Sequence, residues 1–115
     1  MSKTVKACLH DIMAEINRLA DFTKEFKDAK VFSTDTRTVY ACARSLEIMG
    51  EAAKLIPEDS RKKYPQIPWR KLTGMRDRLI HDYGASDVGI IYKTAKDDVP
   101  AIKADIEKMI KETAD

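Results

Sequence analysis

The sequence has few of the residues that form disulfides, bind metals or favour disorder in a small protein. Its 115 residues include only two cysteines, Cys8 and Cys42, and neither has a second thiol nearby. Disulfide frameworks and cysteine metal sites need paired or clustered thiols. We therefore expect both to be reduced core residues, and we expect no metal and no cofactor. With only four glycines and four prolines, the chain leaves little room for disorder.

Long apolar runs are also missing. The chain reaches Asp11 without an apolar run of the kind that a signal peptide contains, and no later stretch is long enough to span a bilayer. These absences predict a cytoplasmic protein that does not associate with membranes. The net charge of +2 is too small to imply nucleic-acid binding by itself.

The distribution of charge is more informative than its total. Between Arg61 and Arg78 seven basic residues are opposed by a single acid, Asp77. A solvated basic surface and a site for an anionic partner are both consistent with this segment. The basic residues are Arg61, Lys62, Lys63, Arg70, Lys71, Arg76 and Arg78.

Apolar residues recur with helical spacing in three long stretches. Gaps of three and four residues separate them, which is typical of the core-facing stripes of amphipathic helices. No segment alternates with period two for long enough to form a strand. We therefore predict an all-α fold, an antiparallel bundle of about five helices, in one domain covering residues 1–115. The stripes are Val5, Leu9, Ile12, Ile16 and Leu19; Val39, Cys42, Leu46, Met49, Ala53 and Ile56; and Ile102, Ile106, Met109 and Ile110.

Capping and breaking residues predict where the helices begin and end. The first helix is expected over residues 3–24 and the second from a cap at 33–35 to about residue 55. A short helix is expected to open at Pro57. After the stiff segment 64–68, Trp69 is expected to pin the connector to the bundle. The next helix is expected to begin at about Pro68 or Trp69 and to end at Tyr83. Gly84 would follow as its C′ residue, Ser86 would cap a helix over 87–97, and Pro100 would begin or kink the last.

The eight residues from Arg76 to Tyr83, RDRLIHDY, combine guanidinium, imidazole, phenol and carboxylate groups. On one helix Arg76 and His81 are five residues apart, about 140° around the axis at 3.6 residues per turn. The two side chains therefore reach one phosphate only if the long arginine side chain bends around the helix, or if the helix becomes more tightly wound before Gly84. Otherwise a second chain completes the site, and a two-fold dimer with these helices face to face would place two arginines and two histidines around one groove.

These groups suit cleavage of RNA, which carries its own nucleophile in the 2′-hydroxyl. Histidine titrates near neutrality and suits proton transfer, while arginine binds phosphate oxygens through a planar fork. Asp77, one turn before His81, can orient the imidazole. From spacing alone, structural roles fit as well: Arg78 and Asp82 form an ordinary surface pair, His81 favours a helix C-terminus, and Tyr83 is half-buried.

Two blocks of the sequence resemble a known family. Residues 67–83, IPWRKLTGMRDRLIHDY, closely resemble the signature of HepT-like proteins in the HEPN superfamily. Residues 46–54, LEIMGEAAK, resemble the second-helix pattern of the same family. The resemblance covers nearly the whole chain and implies a helical bundle that dimerises around a composite cleft.

The resemblance also implies a function. It indicates a metal-independent endoribonuclease, the toxin of a type VII-like toxin–antitoxin pair whose antitoxin is a minimal nucleotidyltransferase. The R-x4-H motif of the family matches Arg76 and His81, with Asp77 and Arg78 in support. Its extended form adds Tyr83, the tyrosine to which the antitoxin of relatives attaches AMP. Where the family often has asparagine, this chain has Asp77.

Two other functions remain open at this stage. The same helices can form a non-catalytic module that binds a nucleotidyltransferase or a nucleotide, with residues 76–83 as the docking surface. A helical adaptor without any nucleotide role is the third possibility. RNA cleavage separates the first function from the other two, and a neighbouring nucleotidyltransferase gene would count against the adaptor.

Overall fold

The computed structural model describes residues 3–81 and 88–114, and His81 in its backbone only. Every regular element in these two ranges is helical, which confirms the all-α prediction. The α-helices are α1 (Val5–Thr23), α2 (Ala29–Ser33), α3 (Thr36–Leu55), α4 (Glu58–Lys62), α5 (Trp69–His81), α6 (Val88–Lys93) and α7 (Lys103–Glu112).

Helices α1 and α3 pack against each other, and each begins at a side-chain cap. Thr4 Oγ1 accepts a hydrogen bond from the Ala7 amide at 3.0 Å, and Asp35 Oδ1 accepts one from the Thr38 amide at 3.1 Å. Such caps satisfy amides that have no partner inside the helix. The predicted stripes face the core, since all the α3 stripe and all but Val5 of the α1 stripe are buried.

One polar contact crosses the interface between these two helices. Glu15 of α1 is only 4% exposed. Its Oε1 accepts a hydrogen bond from Ser45 Oγ of α3 at 2.7 Å, and Arg18 pairs with its other oxygen. A buried carboxylate is tolerated when it is bonded in this way, so the contact fixes the register of α3 against α1.

Trp69 joins the connector to the bundle, as predicted. Its indole is buried, and its Nε1 donates to the carbonyls of Tyr64 at 3.1 Å and Arg61 at 3.2 Å. Because α5 begins at Trp69, this anchor sets the position from which the helix runs towards His81.

The chain after residue 88 differs in detail from the predicted helices. Helix α6 continues as a π-helical segment, Thr94–Asp98, closed by a bond from the Val99 amide to the Thr94 carbonyl at 2.9 Å. A 3-10 turn, Pro100–Ile102, then leads into α7. The wider π turn buries Ala95 and directs Lys96 Nζ to the Thr23 carbonyl at the end of α1, at 3.0 Å.

Other details correct the sequence-based boundaries. Helix α2 was not expected; it begins at a cap, Asp28, and buries Phe32. Ser33 ends that helix, so Asp35 alone caps α3. Pro57 is the N-cap of α4 and not its first residue. The predicted roles of Gly84 and Ser86 lie outside the described residues.

Both cysteines are buried in the core as thiols, as predicted. Burial raises the pKa of the Cys42 thiol to about 11. Within 3–81 and 88–114, no helix is long and apolar enough to cross a membrane.

Candidate functional site

The candidate site lies at the C-terminal half of α5. The structure describes the side chains of Arg76, Asp77 and Arg78, while the side chain of His81 and the whole of Tyr83 lie outside the described residues. The backbone of α5 is α-helical from Trp69 through His81. The backbone positions of Arg76 and His81 therefore lie about 140° apart around the helix axis, as the spacing predicts.

Arg76 lies where α5 packs tightly against α3, and Gly50 makes that approach possible. A Cβ atom built on Gly50 would lie 2.3 Å from Arg76 Cβ and 2.7 Å from the backbone oxygen of Leu72. Real Cβ atoms do not approach other heavy atoms this closely, so any side chain at position 50 would push the helices apart. Gly50 therefore sets the depth at which the motif arginine sits against α3.

Asp77 accepts hydrogen bonds from two cations through one carboxylate oxygen. Lys54 Nζ of α3 lies 2.5 Å from Asp77 Oδ1, and Arg76 Nη1 lies 3.0 Å from the same atom. Two hydrogen bonds hold the pKa of the Asp77 carboxyl below its usual value. The larger effect comes from Lys54 and the smaller from Arg76. The cluster of Lys54, Asp77 and Arg76 therefore carries a net charge of about +1 near neutrality.

The guanidinium of Arg76 is partly enclosed, with 27% of the side chain exposed. Its Nε atom is buried and has no hydrogen-bond partner among the described residues. An unmet buried donor costs about 1–3 kcal/mol. The arginine therefore packs against α3 without satisfying all of its donors.

Arg78 lies on another side of α5. It is exposed and borders an apolar cavity that Lys71, Gly74 and Met75 also line. Arg76 and Arg78 therefore do not form one clamp within a single chain. The structure brings Arg76 and Asp77 together and separates Arg78 from both.

Lys54 was not among the residues singled out from the sequence. It lies one turn after Gly50 on α3, so both residues share a helix face. The spacing from Gly50 to Lys54 was visible in the sequence. That this face meets residues 76 and 77 depends on how α3 crosses α5, which no local pattern reveals.

Comparison with known proteins gives the same family as the sequence blocks. A family model described as Ribonuclease HepT-like matches residues 12–109. The matched range includes the whole of α3 and α5 and both motif positions, 76 and 81. No solved structure matches the chain.

Individual relatives are similar over nearly their full length. A protein of Thermococcus cleftensis named a probable ribonuclease HepT is 43% identical over 113 residues, which is 96% of this chain and 100% of the relative. A Methanocaldococcus jannaschii protein, provisionally named an RNase, is 44% identical over 110 residues, 96% of this chain and 94% of its own. A Caldanaerobacter subterraneus protein, also provisionally named an RNase, is 38% identical over 112 residues, which is 96% of this chain and 94% of the relative.

Proposed function

Because the chain belongs to the ribonuclease HepT-like family, we propose that it is a metal-independent endoribonuclease that works as a homodimer. The proposed biological role is the toxin of a type VII-like toxin–antitoxin pair. The proposed partner is a minimal nucleotidyltransferase antitoxin. The observation that supports this most directly is that the family match covers both Arg76 and His81.

In the proposed reaction, the 2′-hydroxyl of the RNA attacks the adjacent phosphorus and the 5′-oxygen of the next nucleotide leaves. One imidazole removes the 2′ proton and another donates a proton to the leaving oxygen. The products are a 2′,3′-cyclic phosphate and a 5′-hydroxyl. Because one chain carries a single His81, a dimer groove with two copies supplies both the base and the acid.

Arg76 is proposed to hold the scissile phosphate and to stabilise the charge that develops on it. Its buried Nε has no partner among the described residues, and its Nη1 is shared with Asp77. A guanidinium that turns towards a phosphate would gain the bonds that its present position lacks. The unmet donor therefore supports a role in binding an anion.

Asp77 and Lys54 are proposed to adjust how strongly Arg76 binds the phosphate. A carboxylate beside Arg76 competes with the substrate for the guanidinium, while Lys54 occupies the same carboxylate oxygen and weakens that competition. Asp77 Oδ2 accepts no hydrogen bond within the described part of the chain and stays available to orient His81, one turn later. Arg78 is proposed to bind a phosphate elsewhere along the RNA.

The decisive test is cleavage of RNA by the purified dimer in the presence of EDTA. Wild type is expected to cut RNA and to leave 2′,3′-cyclic phosphate ends, whereas Arg76→Ala and His81→Ala are expected to be inactive. Arg70→Ala, on the same helix, controls for the loss of a surface cation. Folded Arg76→Ala or His81→Ala protein that cuts as well as wild type would show that the mechanism is wrong.

Tyr83 is the proposed site of silencing. Transfer of AMP to its hydroxyl would place negative charge beside the groove where the RNA phosphate binds. Incubation with the antitoxin and ATP is expected to raise the intact mass by one or more AMP groups and to abolish cleavage. Tyr83→Phe is expected to prevent the mass increase, and an increase that survives this substitution would place the modification elsewhere.

The alternative function is a non-catalytic module that binds a nucleotidyltransferase or a nucleotide. The match to the family is compatible with it, because a matched fold does not by itself establish catalysis. Absence of cleavage together with co-purification of the partner would favour the module. Cleavage that depends on His81 would exclude it.

A further inference from the structure

A cavity of about 420 Å³ lies beside α5, on the side that carries Arg78. Helices α3 and α5 form two of its walls, and the π-helical segment with the following turn forms the third. Its volume falls within the range of small-molecule sites, roughly 300–1,000 Å³. The proposed reaction at Arg76 does not use this space.

The interior of the cavity is apolar and includes two thioethers. Met49 of α3 and Met75 of α5 both line it, together with Leu72, Val99 and Ile102. Methionine side chains adapt to irregular shapes and make favourable contacts with aromatic rings. The interior therefore suits a flat, largely apolar ring.

The rim, by contrast, is cationic. Lys71 and Arg78 both line the cavity and are exposed, and neither has an acidic partner among residues 3–81 and 88–114. Lys93 and Asp98 also reach the rim, but they pair with each other at 3.1 Å and add no net charge. Within the described residues the rim therefore carries a net positive charge, which favours an anionic ligand.

Gly74 also lines the cavity, and nothing in the described chain explains its lack of a side chain. A Cβ atom built on it would have no heavy atom within 4 Å, whereas glycine inside a helix is destabilising relative to alanine. This residue therefore leaves the backbone of α5 open to approach from outside the chain. It lies between Lys71 and Arg78, where a ligand crossing the rim would pass.

We propose that this cavity binds one unstacked base of an RNA strand, with the flanking phosphates on Lys71 and Arg78. The proposal rests on the ribonuclease function proposed above and adds a base-binding subsite to it. Proteins that read RNA sequence take bases out of the stack and place them against side chains. An apolar interior with adaptable thioethers and a cationic rim matches a base joined to phosphates, and Thr94 of the lining adds a hydroxyl for the edge of the base.

Methionine methyl NMR tests the site without requiring cleavage. The probes are the four ribonucleoside 3′-monophosphates, with ribose 5-phosphate and inorganic phosphate as probes that lack a base. At least one nucleotide is expected to shift the methyl signals of Met49 and Met75 saturably. The signals of Met13 on α1 and Met109 on α7, which lie outside the cavity, are expected to stay in place.

Three variants sharpen the result. Lys71→Gln is expected to weaken nucleotide binding roughly two- to fivefold, the scale of one exposed charge contact. Arg70→Gln removes the same charge from the neighbouring position, which does not line the cavity, and is expected to have little effect. Gly74→Leu places a side chain at the opening and is expected to abolish the shifts, while its melting temperature stays at or above that of wild type.

The outcomes separate this proposal from the proposed reaction. Nucleotide-dependent shifts in a protein that does not cut RNA would support the subsite and count against the nuclease. RNA cleavage without any shift of Met49 or Met75 would overturn the subsite alone. Equal shifts with ribose 5-phosphate would overturn base binding, and shifts on dilution without ligand would show that a second copy of the chain covers the cavity.

Discussion

Two glycines lie on opposite sides of α5, and they differ in how much space surrounds them. On the α3 side, Gly50 allows the backbone of α5 to come so close that an added Cβ would lie 2.3 Å from Arg76 Cβ. On the other side, Gly74 belongs to α5 itself, and an added Cβ would have no heavy atom within 4 Å. Both residues lie inside helices, where glycine costs about 1 kcal/mol relative to alanine.

The difference separates contacts within the chain from contacts with something outside it. The first glycine is explained by packing, because it lets Arg76 lie against α3 beside Asp77 and Lys54. The second has no such explanation among the described residues, although it borders an apolar cavity and stands between two cations that have no acidic partner within 3–81 and 88–114. One side of α5 positions the motif arginine, and the other is the side on which we propose that a ligand binds.

The largest expected effect is that of Gly50→Ala. The new methyl group would collide with the Leu72 carbonyl as well as with Arg76, and a backbone atom cannot rotate away. We expect a net loss of about 1–3 kcal/mol in the free energy of unfolding, the usual cost of overpacking. Urea denaturation measures it, and RNA cleavage by the protein that remains folded is expected to fall because Arg76 is displaced. Unchanged stability would show that α3 and α5 are not in close contact.

The same substitution at Gly74 is expected to have the opposite sign. Alanine gains helix propensity there and meets nothing, so we expect the free energy of unfolding to rise by up to about 1 kcal/mol. The two alanine variants are matched controls for each other in a single denaturation series. A destabilised Gly74→Ala protein would show that the open side of α5 is covered, for example by a second copy of the chain, and would remove the contrast.

A smaller effect is expected from the charge cluster. Asp77→Asn removes the carboxylate that competes for Arg76, so we expect kcat/KM for RNA to rise roughly two- to fivefold, the scale of an exposed ion pair. Lys54→Gln is expected to lower it by a similar factor, because Asp77 then pairs with Arg76 alone. In the Asp77→Asn background, Lys54→Gln is expected to change little. Equal effects of Lys54→Gln in both backgrounds would mean that Lys54 does not act through Asp77.

The sequence predicted the parts of this arrangement that depend on one helix. Stripes with gaps of three and four residues identified α1, α3 and α7, because burial repeats with the helical period. The divergence of Arg76 and His81 followed from the same period. The five-residue α2 is too short for any period to show, and its stability comes from burying Phe32.

Contacts between helices were the part that could not be predicted. Lys54 and Asp77 are 23 residues apart, and they meet because Gly50 lets the two helices cross closely. That crossing is a property of the folded core and not of either segment. A glycine in the middle of α3 permits a close approach, but it does not say which residue comes close.

The smallest expected effect is the pH dependence of the Asp77 contacts. Hydrogen bonds from Lys54 and then Arg76 lower the pKa of this carboxyl from its ordinary value of 3.8. A group whose pKa is lowered on folding stabilises the protein above its ordinary pKa, and that contribution is lost as the pH falls through the folded value. Wild type is therefore expected to lose more stability between pH 7 and pH 3 than Asp77→Asn does.

Urea midpoints at both pH values, in low and high salt, measure this difference. It is expected to be small, because 47% of the Asp77 side chain is exposed and salt screens such pairs. If wild type and Asp77→Asn lose the same stability between the two pH values, Asp77 is not held by Lys54 and Arg76. Lys54 and Arg76 would then lack an acidic partner, as Lys71 and Arg78 do within the described residues. The contrast between the two sides of α5 would depend on Gly50 alone.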